Sequence, residues 1–263
     1  MSTVVFVHAH PDDESSQTSG SMARAVKEGH RVVLVVATNG DHGDAPDDLA
    51  EGETVVDRRR AEAEAAAAVI GTHRIVWLGY ADSGMTGWSQ NGHESSFYTA
   101  DTEAAAEKVA AILREEDADV VVGYDWHGGY GHPDHVKVHA VTKRAAELAG
   151  TPRYLEGSMN RDAMVRGFEA ARAAGVDVGD WDPSRPMDDG NPLGSSESEL
   201  HWACDVSDYL AVKRNALKAH ASQGDAQGML SMPEQMFAQG FSWEHFIEPG
   251  RPDGMVAGWF LDE

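Results

Sequence analysis

The sequence predicts an α/β fold of Rossmann-like type, a mainly parallel sheet with helices on both faces, followed by a C-terminal α+β extension. Three observations predict it. Short β-branched runs of about five residues alternate with Ala- and Glu-rich stretches of about fifteen over the first 150 residues. Glycines stand where those longer stretches stop, at Gly29, Gly71 and Gly150. The residues suited to chemistry gather just after the β-like runs. Alternation at this spacing implies right-handed βαβ crossovers, which bury both faces of a parallel sheet.

The elements follow in order. Residues 4–7 (VVFV) are a buried strand by composition. Residues 15–28 read as a helix closed by Gly29. Residues 31–37 (RVVLVVA) form a second strand and TNGDHGD a turn-rich loop. Residues 54–70, with DRRRAEAEAAAAVI, are a strong helix by propensity, ended by Gly71. Residues 74–78 (RIVWL) are a third strand, 102–116 a helix, 118–122 (ADVVV) a fourth strand, and 134–148 a helix ended near Gly150. Beyond residue 153 the rhythm weakens. Helices are expected at 162–175 and 209–220, a loop at 177–198 and a strand at 242–248. The expected organisation is a core of residues 1–153 and an extension of residues 154–263 that completes the pocket within one overall domain.

Composition narrows the function. The chain has 263 residues, 44 Asp and Glu against 21 Lys and Arg, and a net charge of −23. That balance argues against binding nucleic acid or an anionic membrane through a general basic patch, and reads as a solvated acidic surface or a pocket that holds cations. One cysteine, Cys204, excludes an internal disulfide framework and a Cys-based zinc site. The N-terminal stretch has no basic region and no long apolar run, so a signal peptide is not expected, and no run of 18 apolar residues suggests a membrane span. A soluble cytoplasmic protein is the expectation; homo-oligomerisation is left open.

In sheets of this class ligands sit beyond the C-terminal ends of the strands. The loops there are HAHPDDE, TNGDHGD, GYADSGM and GYDWHGGYGHPDH. In the first, His10 and Asp13 are three apart at a strand-to-helix corner, where their lone pairs can meet, and Pro11 stiffens the turn. N-capping explains one or two acids at a helix start, not His-Pro-Asp-Asp-Glu. In the last, His132 and His135 repeat the spacing around Pro133. His135 can complete a His10–Asp13–His135 set, which suits catalytic zinc with an open position and also suits Fe²⁺. His132 then remains free as an acid or electrophile. His139, one turn on, is expected on the helix surface or behind the ligands, and His8 in a structural role. Glu14 is expected to pair with an arginine or cap the helix.

AHPDDES together with GHPDH resembles the PIG-L/LmbE-type superfamily of metal-dependent de-N-acetylases, over about residues 4–150 and again weakly at KRNALKAHASQ. SSQTSGSMARAVKEGHRVVLVVATNGDHGD, DSGM and GGYGHPDHV are most similar to its actinobacterial mycothiol-pathway branch, which contains an inositol-linked deacetylase and a conjugate amidase. The resemblance implies that His10, Asp13 and His135 hold zinc and that Asp12 is the general base. It implies that His132 meets the oxyanion or protonates the amine, with Asp134 orienting it by a hydrogen bond. It gives Arg59 and Asp82 as sugar contacts and Tyr130 as a tyrosine near the tetrahedral intermediate, and it places the helix bearing His220 near the site. The expected activity is removal of an N-acetyl group from a glucosamine-containing small molecule, with cleavage of a larger amide as the alternative. Trp88 and Trp126 are the tryptophans expected at the mouth. APDDLAEGETV and residues 161–192 depart from the pattern, so the acceptor is less defined than the metal chemistry. A binding protein without turnover is disfavoured because Asp12 and His132 are both present. A dinucleotide binder is disfavoured because no GxGxxG follows the first strand.

Overall fold

The computed structural model describes residues 1–176, 178 and 182–262. Five parallel strands form one side of an eight-stranded sheet, with β3 at its edge: β1 (Thr3–His8), β2 (Arg31–Thr38), β3 (Arg74–Tyr80), β4 (Val120–Tyr124) and β5 (Arg153–Ser158). Their order is β3-β2-β1-β4-β5. The sequence-based reading is correct for the α/β class and for the mainly parallel sheet.

Successive side chains of a strand face opposite ways. Val5, Val7, Val33, Val35 and Val121 enter one core with the helices α3 (Thr102–Glu115) and α4 (Pro133–Ala149). Val4, Phe6, Val32, Leu34, Val120 and Val122 enter the other, with α1 (Ser19–Lys27) and α2 (Val55–Ile70). Because both faces are covered, β1 and β2 are apolar without alternation. Local chemistry fixes the helix ends. Thr54 and Asp57 form a reciprocal capping box before α2, and Gly71 and Gly150 close α2 and α4 in the left-handed conformation.

The expected helix at 15–28 is in two parts. A π-helical turn over Glu14–Thr18 precedes α1, and Asp12 ahead of it takes φ 116°. Such turns are frequent at functional sites.

The extension adds more regular structure than the sequence suggests. α5 (Arg161–Ala173), α6 (Leu210–Ala219) and β7 (Trp243–Ile247) lie where they are expected. β6 (Trp202–Asp205), β8 (Val256–Ala257), α7 (Gly224–Ser231) and α8 (Glu234–Phe241) are additional, and β5 itself is not anticipated. β7 pairs antiparallel with β5, β6 antiparallel with β7, and β8 parallel with β6, so the extension lengthens the same sheet. The loop expected at 177–198 is irregular where described, but residues 177 and 179–181 lie outside the described residues. Among the described residues no helix is long and apolar enough to cross a membrane.

β1 has β2 on one side and β4 on the other, so the strand order reverses between β1 and β4. Open α/β sheets place their ligand crevice at that reversal. The loops after β1 and β4 are the two that carry His-Pro-Asp.

Candidate active site

His10 and Asp13 come from the loop after β1, and His132 and His135 from the loop into α4; all four are buried. Three donor atoms form a small triangle. His135 Nε2 lies 3.3 Å from His10 Nδ1 and 3.3 Å from Asp13 Oδ2, and His10 Nδ1 lies 3.4 Å from the same carboxylate oxygen. Ligands about 2.0–2.1 Å from a tetrahedral zinc stand about 3.3–3.4 Å apart. The triangle therefore has the dimensions of one face of a zinc coordination shell.

The other ring nitrogens fix the tautomers. His10 Nε2 lies 3.1 Å from Asp134 Oδ2 and 3.5 Å from Asp82 Oδ1, and His135 Nδ1 donates to the Gly128 carbonyl at 3.1 Å. Those partners accept only, so the protons sit on these nitrogens and the lone pairs of His10 Nδ1 and His135 Nε2 point inward. Gly128 has to be glycine: its φ is +61°, and a Cβ there would collide with the His135 Cβ. Burial opposes a charge on His10, yet Asp82, Asp13 and Asp134 hold its pKa well above the ordinary histidine value. The surrounding carboxylates thus favour positive charge at this position.

His132 has a different status. It caps α4, with its Nδ1 accepting the Asp134 backbone N–H at 3.1 Å and Pro133 opening the helix. Nitrogens of His10, His132 and His135 lie within 4.8 Å of one another, so His132 is close enough to join the cluster. Its accepting Nδ1 leaves the proton on Nε2, which makes the ring a donor rather than a ligand. Burial, reinforced by His10 and His135, pushes its pKa down to about 2.

Asp12 keeps a quarter of its side chain open, and Arg59 Nη2 holds its Oδ2 at 3.0 Å. Burial pushes its carboxyl up to about 6 against the opposing pull of Arg59. Arg59 also donates to the Gly40 and Pro11 carbonyls, at 2.7 and 2.6 Å. The expected sugar contact is thus a buried guanidinium already engaged with the loops and with Asp12. Asp82 is buried too, with Oδ1 accepting the Gly84 N–H at 2.8 Å beside His10, and the charge of that imidazole keeps it ionised against burial. Tyr130 places its hydroxyl 3.5 Å from His135 Nε2.

One expected contact is corrected. The Asp134 carboxylate does not bond His132; it bonds His10 Nε2 and accepts from the backbone and hydroxyl of Ser83. Only its backbone N–H reaches His132. The spacing of HPD on a helix start turns the aspartate side chain back across the strand end instead of toward the cap.

His139 faces away, bonded to the Tyr124 carbonyl, and His8 is held between Tyr124 and Thr18. Sequence reasoning missed Ser83, Tyr124 and the partner of Glu14. Tyr124 stacks on His135 with centroids 4.6 Å apart. Glu14 accepts from His220 Nε2 at 2.7 Å rather than from an arginine. Trp88 and Trp126 stand 49% and 50% exposed on the loops beside the site.

The model of the GlcNAc-PI de-N-acetylase family matches residues 5–146. The chain is 37% identical to the 1D-myo-inositol 2-acetamido-2-deoxy-alpha-D-glucopyranoside deacetylase of Thermobifida fusca, covering 95% of this chain and 96% of that one. Its fold matches the N,N'-diacetylchitobiose deacetylase of Pyrococcus horikoshii with TM-score 0.55 and 21% identity, over 90% of this chain and 73% of that one. It matches the A40926 pseudoaglycone deacetylase with TM-score 0.62 and 17% identity, over 93% and 96%. The chain belongs to the GlcNAc-PI de-N-acetylase family and is a hydrolytic N-deacetylase.

Proposed function

We propose that this deacetylase uses zinc, held by His10, Asp13 and His135, to free the amine of an N-acetylglucosamine joined to myo-inositol. The observation that carries the metal assignment is the triangle of inward lone pairs at 3.3–3.4 Å. The substrate is supported by the near full-length likeness to the T. fusca enzyme, and Trp88 and Trp126 at the mouth suit the apolar face of a sugar. Fe²⁺ would satisfy the same two-His, one-carboxylate set. The single, buried Cys204 suits a cytoplasmic setting.

Zinc, when bound, supplies a Lewis acid that lowers the pKa of a water to about 7 and polarises the acetyl carbonyl. The chain's own residues do the rest. Asp12, opening to the mouth, takes the proton of the attacking water. A carboxyl near 6 accepts that proton at neutral pH and can return it. His132 points the Nε2 proton toward the developing oxyanion, where a fixed donor in a dry site is worth most. Its Nδ1 is spent on the Asp134 backbone, so the neutral ring has no proton to spare for the amine. The proton the leaving amine needs therefore comes from Asp12, which serves as base and then as acid. Arg59 holds the Asp12 carboxylate in place. Tyr130, beside His135, is placed to hydrogen-bond the same oxygen as His132.

The test is amine release from a panel of N-acetylglucosaminides with inositol, lipid and plain-sugar acceptors, using zinc-loaded protein and an Asp12→Asn variant. The inositol conjugate should be turned over fastest, and the variant should lose about 10²–10⁴-fold in kcat. Preference for a plain-sugar or lipid acceptor would overturn the substrate, and an active Asp12→Asn would overturn the assignment of the base.

A further inference from the structure

His220 comes from the part of the chain beyond the family match, yet it sits completely buried beneath the first catalytic loop. Its Nε2 donates to Glu14 Oε1 at 2.7 Å. The other oxygen of the same carboxylate accepts the backbone N–H of Asp12 at 3.0 Å. Glu14 is likewise fully buried. Asp12 needs that anchor because its φ of 116° is a region that residues with a side chain rarely occupy. Such a conformation persists only when its surroundings over-determine it. A free Glu14 side chain could rotate away. Its Oε1 also accepts the hydroxyl of the adjacent Ser15 at 2.7 Å, but His220 is what ties it to the C-terminal extension, and rotation would leave that buried imidazole unpaired.

The segment around His220 is tied at several more points. Ser222 donates through its N–H and hydroxyl to Glu62 on α2, at 2.9 and 2.7 Å. Gln223 exchanges hydrogen bonds with the Asp44 backbone, and Gly224 N–H reaches the Asp44 carboxylate at 2.8 Å. Lys213, in the first turn of α6, bonds the Ser16 carbonyl at 2.8 Å. Residues 213–224 thus grip the π-helical turn after Asp12, the helix that carries Arg59, and the loop whose Gly40 accepts from Arg59. Both supports of Asp12, Glu14 on its backbone and Arg59 on its carboxylate, are held from the C-terminal extension.

We propose that His220 is a positioning residue for the reaction: acting through Glu14, it fixes the backbone of Asp12 so that the carboxylate faces the attacking water. This rests on Asp12 being the proton acceptor. His220 is fully buried and bonds Glu14 rather than any of the proposed ligands, so its removal is expected to act on turnover and to spare binding.

The experiment compares wild type, His220→Ala, His220→Gln, Glu14→Gln and Asp12→Asn, all as zinc-loaded full chains, by kcat, KM and competitive zinc titration. His220→Ala should lower kcat on the order of 10²-fold, the cost of a displaced catalytic group, with KM and zinc affinity within about threefold. His220→Gln, whose amide N–H can still donate to Glu14, should recover most of that loss, which a mere filling of space would not achieve. If His220→Ala does not fold, Glu14→Gln carries the test. It keeps the volume but cannot accept from both Asp12 and His220, so its kcat should fall at constant KM. Wild-type kcat in the folded variant that breaks the chain of bonds, or a rise in KM at constant kcat, overturns the inference while Asp12→Asn stays inactive. Turnover by Asp12→Asn would instead remove the reading on which the inference stands.

Discussion

The two His-Pro-Asp loops of this molecule share three letters and little geometry. In the second, Pro133 opens a regular helix and His132 caps it, so the start of α4 sets the backbone positions of His132, Asp134 and His135. In the first, Pro11 leads into a left-handed Asp12 and a π-helical turn. Asp12 there is held by Arg59 from α2 on its carboxylate, and on its backbone by Glu14, which His220 reaches from the other end of the chain. One loop is positioned by secondary structure, the other by tertiary contacts. The difference shows how one tripeptide can introduce the proposed ligands His10 and Asp13 in one place, and the proposed ligand His135 with the donor His132 in the other.

The largest effects should be those that ignore this distinction. Asp13→Ala in the first loop and His135→Ala in the second each remove a corner of the triangle. Each should weaken zinc binding by more than about 100-fold, since changes outside the ligand set alone reach that size. A zinc titration that finds either variant near wild type would dismantle the proposed ligand set. Next, His132→Ala should lower kcat about 10²–10³-fold with zinc affinity preserved, the cost of one oxyanion donor. Loss of zinc along with kcat would make His132 a ligand and blur the contrast between the loops.

Asp134→Asn sharpens the comparison, because the second loop supports the first through it. The Asp134 carboxylate bonds His10, so the variant should lose about 10–100-fold in zinc affinity. A fall in kcat at unchanged zinc affinity would show that Asp134 serves His132 after all. The smallest effect lies beneath the second loop, at Glu156 on β5. Burial, with the nearby Asp125, pushes its carboxyl up to about 7. A carboxyl raised on folding contributes stability below about pH 4.5 and loses it as the pH climbs through about 7. Glu156→Gln should therefore be about 1–2 kcal/mol more stable than wild type at pH 8 and close to it at pH 4 by denaturant melts. Equal melts at pH 8 would show that folding does not raise the pKa of this carboxyl.

The strands β1 to β4 and the helices between them were legible because each is encoded locally, by β-branched runs, Ala-rich stretches and glycine stops. The placement of His10, Asp12, Asp13, His132 and His135 at one sheet edge followed from that periodicity. β6 and β8 were not legible, being four and two residues long and defined by pairing with distant partners. The Asp134 carboxylate was not legible, since a two-residue spacing from His132 gives proximity along the chain but not the side-chain direction at a helix start. Arg59 stood among three arginines on α2, and no pattern says that it alone is buried, where Gly40 and Gly43 make room for its guanidinium that a side chain would take.

By itself, the sequence determined the α/β class and the two motifs at the strand ends, because propensity, capping and strand-end position are properties of neighbouring residues. The tertiary structure alone decided the 3.3–3.4 Å triangle, the tautomers that aim its lone pairs, and the burial of Glu14 against His220. Those depend on which groups meet across 125 or 206 residues of chain, and only the strand order and the packing of the extension bring them together.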